Sequence, residues 1–324
     1  MPPWCHSDLV TLTQLGAFVL VARLGSVRAA ADVLGVSEPA VSKAIASLRQ
    51  HLDDQLVVRD GNAMALTEGG ARLLSIASQM VSLGAEAEAA VRAARGAPAQ
   101  LRLLVNPMIA EFIEAPLVEA FGRRVSGTIE TSSGMASAAE MRELIANRIA
   151  DIAIGPQLAP DADHPLVCEP VLRYRIVLVA APSTRYVGPP ARWPWVVGPS
   201  GTDPDSDIGR LLRSYRVPED RIQVFPNETA AWAAAASGAG VAPASSSLVT
   251  PMMNRSGLQV VRAEGTPRNC TWYVTTLRPD RRTQGAAFLR NFLSTPDAMQ
   301  LMCSPGAGVP PSRFRPPVYV TIWS

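Results

Sequence analysis

The chain has 324 residues, 48% hydrophobic and 18% charged, a composition that fills two or three packed domains and excludes disorder over the whole length. Thirty basic residues against 28 acidic ones leave a net charge of +2, no basis for a strong polyanion binder, and Lys43 is the single lysine. A Gly-Lys-Ser/Thr phosphate loop or a lysine Schiff base would therefore have to use Lys43. Cys5, Cys168, Cys270 and Cys303 form no Cys-x-x-Cys pair, and only His6, His51 and His164 could assist them. That pattern is no zinc framework and fits reduced, packed thiols in a cytoplasm, with no metal and no cofactor called for. The N-terminal MPPWCHSDL lacks a basic region followed by an apolar core. The apolar run 15–24 is broken by Arg23 and falls short of the ~20 residues a membrane span needs. The expectation is a soluble cytoplasmic protein without a membrane partner.

Leu12, Leu15, Phe18, Val19 and Ala22 recur at helical spacing up to Gly25. Ser26 then stands as an N-cap for a helix over 27–34, with Val27, Ala30, Ala31 and Leu34 on one face. After the Gly35-Val36 turn, Ser37 reads as a second N-cap. A third helix follows from 38 to about 52, with Pro39 tolerated in its first turn. Its apolar face is Val41, Ile45, Leu48 and Leu52, and its opposite face is Pro39, Ser42, Lys43, Ala46, Arg49 and Gln50. Two short helices, a glycine turn and a helix with small and basic groups outward make the helix-turn-helix arrangement. Such a face can sink into a major groove, where Ser42 and Lys43 donate to phosphates or base acceptors. The same periodicity also fits a helical hairpin in any α-rich core.

The stretch from LTQLGAFVLVARLGSVRAAADVLGV to LVVRDGNAMALTEGG resembles the N-terminal winged helix of LysR-type transcriptional regulators. The matching residues include Gly25-Ser26, Ala29-Ala30-Ala31, Leu34, Ser37, Pro39-Ala40-Val41-Ser42-Lys43, Ile45, Leu48, Leu52, Leu56, Arg59 and Leu66-Thr67-Glu68-x-Gly70, without a gap. The resemblance implies double-stranded promoter DNA as partner. Ser26, Arg28, Ser37, Glu38, Pro39, Ala40, Ser42, Lys43 and Arg59 are the candidate DNA-contacting set, with Arg59 supporting the wing. Glu38 stands where the family usually has glutamine, Arg49 replaces an acidic residue and Asp53 a glycine, and Asn62-Ala63 stand where wing arginines often reach the backbone. Residues 1–96 hold eight basic and nine acidic residues, so this domain is expected to bind weakly alone and to need a dimer or tetramer.

Over 67–95, Leu73, Ile76, Met80, Leu83, Ala87, Ala90 and Ala94 alternate spacings of three and four, the seam of a coiled coil, with Thr67 able to cap the start. In isolation this fits a helix buried on its own domain. Beside the resemblance it reads as the linker helix that pairs two subunits, ended by Gly96-Ala97-Pro98.

From Gln100 the period changes to α/β order: strands at 101–105, 128–132 and 150–155 with helices over 109–124 and 136–146. A second set has strands at 175–181, 195–198 and 222–225 and helices over 206–215 and 229–237, before a strand at 272–277 and a helix over 283–292. This order resembles the family's two-lobed effector domain, related to periplasmic solute-binding proteins. The implied layout is an α-rich winged helix-turn-helix domain over 1–66 and a linker helix over 67–96. An α/β effector domain follows over 97–303, with one lobe at 97–164 and 275–303 and the other at 165–274. In that fold a small-molecule effector enters the cleft between lobes. By position, Asn106, Pro107 and Met108 follow the first strand, and Ser132, Ser133 and Gly134 the second. Ser200, Gly201, Thr202 and Asn227 face them from the other lobe, with Met108 as a wall. Free amides at helix starts and these hydroxyls would suit a carboxylate or similar small anion. Each of these segments also reads as an ordinary turn. The resemblance further implies RNA polymerase as a partner.

Two other classes use the same α/β half. An enzyme lacks support: Gly198-Pro199-Ser200-Gly201-Thr202 misses the G-x-S-x-G elbow at Thr202, and His164 lies in the loop-like PDADHP. A solute-binding protein would need an export signal and no winged helix. The tail, 304–324, reads as a Pro/Gly-rich linker and a β-prone stretch at 318–323, expected to be disordered or loosely packed.

Overall fold

The computed structural model describes residues 10–60, 63–94, 96–159, 166–303 and 318–319. The chain forms two compact units, one built chiefly from residues up to Ala99 and the other from Gln100 onward.

In the first unit, α1 (Leu12–Leu24), α2 (Val27–Leu34) and α3 (Glu38–Leu52) precede the strands β1 (Val57–Asp60) and β2 (Ala63–Leu66) and the long α4 (Glu68–Ala94). Thr11 and Gln14 cap the start of α1 reciprocally. Gly25 and Gly35 close α1 and α2 in the left-handed region, each at φ +66. The Ser26 hydroxyl accepts from the Ala29 amide at 3.3 Å, the cap expected of it. Ser37 departs from expectation: it occupies the N-cap position without a side-chain capping bond. Pro39 removes one amide it could have taken, and the Ala40 amide bonds instead to the Ser37 carbonyl at 3.0 Å.

Leu15, Phe18, Val19, Leu48, Leu56, Val57, Leu74 and Ala77 make the core, each of the Leu, Phe and Val side chains contributing about 1.5–3 kcal/mol when fully buried. Leu34 and Leu52, expected on buried faces, sit at helix ends and are 40% and 38% exposed. β1 and β2 pair antiparallel from Val57↔Leu66 to Asp60↔Ala63, the wing of the fold. A Cβ on Gly70 would lie 2.0 Å from the Leu56 carbonyl oxygen, which explains the glycine two residues after Glu68.

The second unit begins with β3 (Ala99–Val105), α5 (Pro107–Phe112), α6 (Glu114–Arg124), β4 (Ile129–Met135), α7 (Ala138–Ala146) and β5 (Ile152–Gly155). The single helix expected over 109–124 divides at Ile113, because Pro116 has no amide to give and its ring crowds the carbonyl four residues back. The 15-residue β6 (Leu166–Ala180) follows, then β7 (Trp195–Val197), α8 (Asp207–Ser214), β8 (Ile222–Val224), α9 (Glu228–Ala236), β9 (Ala242–Ser245), α10 (Ser246–Ser256) and β10 (Gln259–Val261). β11 (Arg268–Leu277), α11 (Gln284–Leu293), α12 (Pro296–Cys303) and β12 (Val318–Tyr319) complete it.

The main sheet runs β10-β6-β11-β5-β3-β4-β12, with β9 also on β6. β3 and β5 are parallel, whereas β11 is antiparallel to both β5 and β6. The long β6–β11 pair spans both lobes and shifts register between Trp272 and Tyr273. Its Leu166–Leu277 end lies in the first lobe beside β5, while Ile176 to Ala180 pair with β9 and β10 of the second lobe. β7 and β8 form a parallel pair there, with Trp195 bridged to Val241. This is the two-lobed α/β architecture. His164 and the tail apart from Val318–Tyr319 lie outside the described residues.

Candidate nucleic-acid interface and interlobe cleft

The amphipathic pattern of α3 divides its residues between core and surface. Val41, Ile45 and Leu48 are at most 4% exposed. Ser37, Glu38, Pro39, Ala40, Ser42, Lys43 and Ala46 are all exposed on the other side. The result is a shallow, donor-bearing ridge that starts with the Glu38 carboxylate and continues through Ser42 and Lys43. At the start of α2, Arg28 is exposed and Ser26 is half-buried with its hydroxyl engaged in capping. Arg59 lies in β1 opposite Met64. Asn62 lies outside the described residues.

Arg49 has a role that periodicity did not reveal. Its Nε and Nη2 donate to the carbonyls of Gln55 and Val57, each at 2.6 Å, fixing the turn from α3 into the wing. Asp54 supports the same turn, accepting from the Leu56 amide at 2.6 Å and the Thr67 hydroxyl at 2.7 Å. Those bonds, Thr67 foremost, hold its carboxyl below the ordinary range. Thr67 in turn caps α4 through the Gly70 amide at 2.9 Å.

On α4, Leu74 and Ala77 are buried against the head, but Ile76, Met80, Leu83 and Val91 are 58%, 43%, 63% and 55% exposed. Of the expected seam, Ile76, Met80 and Leu83 thus form an exposed apolar stripe on a helix about 40 Å long, whereas Leu73 packs against the head.

In the second unit, the candidate effector residues are mostly engaged by the chain itself. Asn106 caps α5, accepting from Ile109 at 2.9 Å, and Asn227 caps α9, accepting from Ala230 at 2.7 Å. Pro107 is half-buried, while Met108 is 2% exposed and belongs to the core. Ser132, Ser133 and Gly134 do not follow the second strand as expected. They lie within β4, which runs to Met135, so Ser132 and Ser133 point to opposite faces. Ser132 is exposed, and the Ser133 hydroxyl donates to Glu114. Burial pushes the Glu114 carboxyl up, against the effect of that bond.

The segment from Gly198 to Thr202 is a tight 3-10 turn. A Cβ on Gly201 would sit 2.6 Å from Val197, and the Thr202 hydroxyl is spent on the Pro199 carbonyl at 2.8 Å. Ser200 is buried, and its amide donates to Glu228 at 3.1 Å. Glu228, the first residue of α9, is 1% exposed, and burial pushes its carboxyl up to about 7, with the Ser200 bonds opposing and Glu111 reinforcing.

Glu111 of α5 was missed by sequence reasoning. Its carboxylate accepts from the Glu228 amide at 2.7 Å, the Thr229 amide at 2.9 Å and the Thr229 hydroxyl. From the other lobe, Asp203 accepts from the Ala138 amide at the start of α7 at 2.9 Å. Phe112 stacks on Trp232 across the same seam, with centroids 5.2 Å apart and planes 7° from parallel. The amides expected to await an anion at the start of α9 are therefore already taken, and at α5 the Ile109 amide is taken by Asn106.

The cysteines are unpaired among the described residues. Cys270 is buried, which pushes its thiol up to about 12, Cys168 is half-buried, and Cys303 is exposed rather than packed. No described helix is long and apolar enough to cross a membrane.

Comparison with known proteins matches residues 12–71 to the family described as bacterial regulatory helix-turn-helix protein, lysR family, and residues 94–295 to the LysR substrate binding domain. The HTH-type transcriptional regulator Rv0377 of Mycobacterium tuberculosis is 36% identical over 97% of this chain and 100% of its own length. Among solved structures, the full-length Vibrio cholerae virulence activator AphB is 18% identical with a TM-score of 0.52, covering 87% of this chain and 98% of that one. Full-length CbnR complexed with its target DNA is 19% identical with a TM-score of 0.51, at 87% and 98% coverage. These two likenesses concern the fold.

Proposed function

This chain belongs to the LysR family of bacterial helix-turn-helix transcriptional regulators, and on that premise we propose that α3 enters the major groove of promoter DNA. The observation that carries this reading is the exposed ridge Ser37, Pro39, Ala40, Ser42 and Lys43 over a buried Val41-Ile45-Leu48 face. Ser42 and Lys43 supply donors to phosphates and base edges, Glu38 accepts from a cytosine amine, and Ser26 and Arg28 approach the backbone from α2. Arg59 supports the wing.

The apolar stripe of α4 pairs two subunits, as a dimer or within a tetramer, and the pairing supplies the affinity that a head with a net charge of −1 lacks. In this reading residues 1–66 are the head, 67–96 the linker, 97–303 the effector domain and 304–324 a tail. The interlobe cleft takes a small-molecule effector, and an anion is admitted at the start of α9 only in exchange for Glu111. The effector works by binding two lobe arrangements with different affinity, which shifts the heads on DNA and their relation to RNA polymerase. The protein acts in the cytoplasm and catalyses no reaction.

Substituting Lys43→Ala tests the docking. Affinity for specific DNA should fall, and the slope of log affinity against log salt should flatten by about one phosphate contact per head. Unchanged affinity and slope would place the groove-facing surface elsewhere.

A further inference from the structure

The two lobes are joined by a reciprocal exchange of carboxylates. The first lobe sends Glu111 from α5 to the start of α9, where it accepts from two amides and a hydroxyl. The second lobe sends Asp203 to the start of α7, where it accepts from Ala138. Each start already has local support. Asn227 serves α9 through Ala230, and Ser137 and Glu140 bond reciprocally at α7. The carboxylates from across the seam therefore satisfy the outermost amides, which no local side chain reaches. Negative charge at a helix start is favourable, so each contact attracts as an ion to a dipole as well as through hydrogen bonds. Phe112 stacked on Trp232 adds apolar contact next to Glu111. Helix starts end in water when a cleft is open, and both of these ends instead meet the opposite lobe.

We propose that Glu111 and Asp203 act as paired clasps that hold the two lobes together, so that an effector must be reconciled with them before the lobes can rearrange. The inference rests on the reading of this cleft as the effector site, but the clasps themselves are contacts within the chain. Glu111 is exposed, so its clasp lies at the mouth of the cleft and is open to competition from salt and from solutes. A tethered carboxylate holds this position at a high effective concentration, which sets a threshold that a free ligand must exceed.

The test is hydrogen exchange followed by mass spectrometry on the full chain, comparing wild type with Glu111→Ala, Glu111→Gln, Asp203→Asn and the Glu111→Gln/Asp203→Asn double variant. Loss of either clasp should speed exchange by about tenfold or more at its own helix start, as expected for losing one charge-assisted amide bond at α7 or two at α9. The distinctive outcome is at the other end of the seam. Glu111→Ala should also deprotect the start of α7, and Asp203→Asn the start of α9, because both depend on the lobes staying together. The double variant should then expose little beyond either single one. Glu111→Gln, which keeps an acceptor but loses the charge, should fall between wild type and Glu111→Ala. If each substitution deprotects only its own helix and the effects simply add, the contacts are local caps and the proposal is overturned. Operator binding by the same variants reports separately on the regulator reading, since exchange at α7 and α9 requires neither DNA nor effector.

Discussion

Replacing Glu228 with glutamine removes the ionisation of a carboxyl that is 1% exposed and held at a pKa of about 7. The unfolded chain gives up this proton near the ordinary value of 4.5, while the folded chain keeps it to about pH 7. Between those values the folded state binds more protons, so stability falls as pH rises. The contribution is whole below the unfolded value and is lost as pH climbs through the folded one. At 1.36 kcal/mol per unit, the difference comes to about 3 kcal/mol. The neighbours act in both directions: Glu111 on α5 disfavours the charge, and the amides of Ser200 and Gly198 favour it. For a domain of this size that corresponds to about 6–12 °C of melting temperature. Differential scanning fluorimetry of the full chain, run from about pH 5 to about pH 8.5, covers most of that window. Wild type should lose stability relative to Glu228→Gln across it, and the variant should be the more stable protein at the alkaline end. A constant offset between the two proteins at every pH would refute the reasoning, since it would mean that Glu228 does not change its charge on this scale.

Three further substitutions follow from the head and linker. Arg49→Ala strips two donors from the α3–wing turn and should cost about 2 kcal/mol in thermal unfolding of the head, against near neutrality for an ordinary surface arginine. Gly70→Ala drives a methyl into the Leu56 carbonyl, so it should displace the start of α4 and lower the melting temperature of the head more than Gly16→Ala, where the space is open. Leu83→Asp puts a charge on the exposed stripe of α4 and should shift the mass measured by light scattering toward monomer, whereas an unchanged mass would move the subunit interface elsewhere.

The head was legible in the sequence because its signals are local. Apolar spacing, two glycine stops and a serine cap fix α1 to α3 within a few residues of one another. Ser37 shows where that logic ends, since a neighbouring proline decides whether a cap bond forms. The effector domain was legible in its order but less so in its details. β6 starts at Leu166 and not at 175, because its first half holds Cys168, Glu169 and Pro170, which break the apolar run although they pair with β11. β9 is Ala-Pro-Ala-Ser, with no β-branched residue, and it exists because β6 offers it a ladder. The carboxylates at the cleft were invisible for a similar reason. Glu111 lies 117 residues from the amide it meets and Asp203 lies 65 from Ala138, separations over which a sequence pattern carries no pairing information. Of the candidate residues chosen by position, Asn106 and Asn227 are caps of the helices that frame the cleft.

Fluorescence anisotropy of the full-length protein tests the central claim most directly, using DNA from upstream of its own gene beside an unrelated duplex, each over a salt series. A sequence-specific regulator binds the first duplex more tightly than the second, with a salt slope that reports several phosphate contacts. Equal, feeble binding to both duplexes at every salt concentration would contradict the assignment of α3 as a DNA-reading helix.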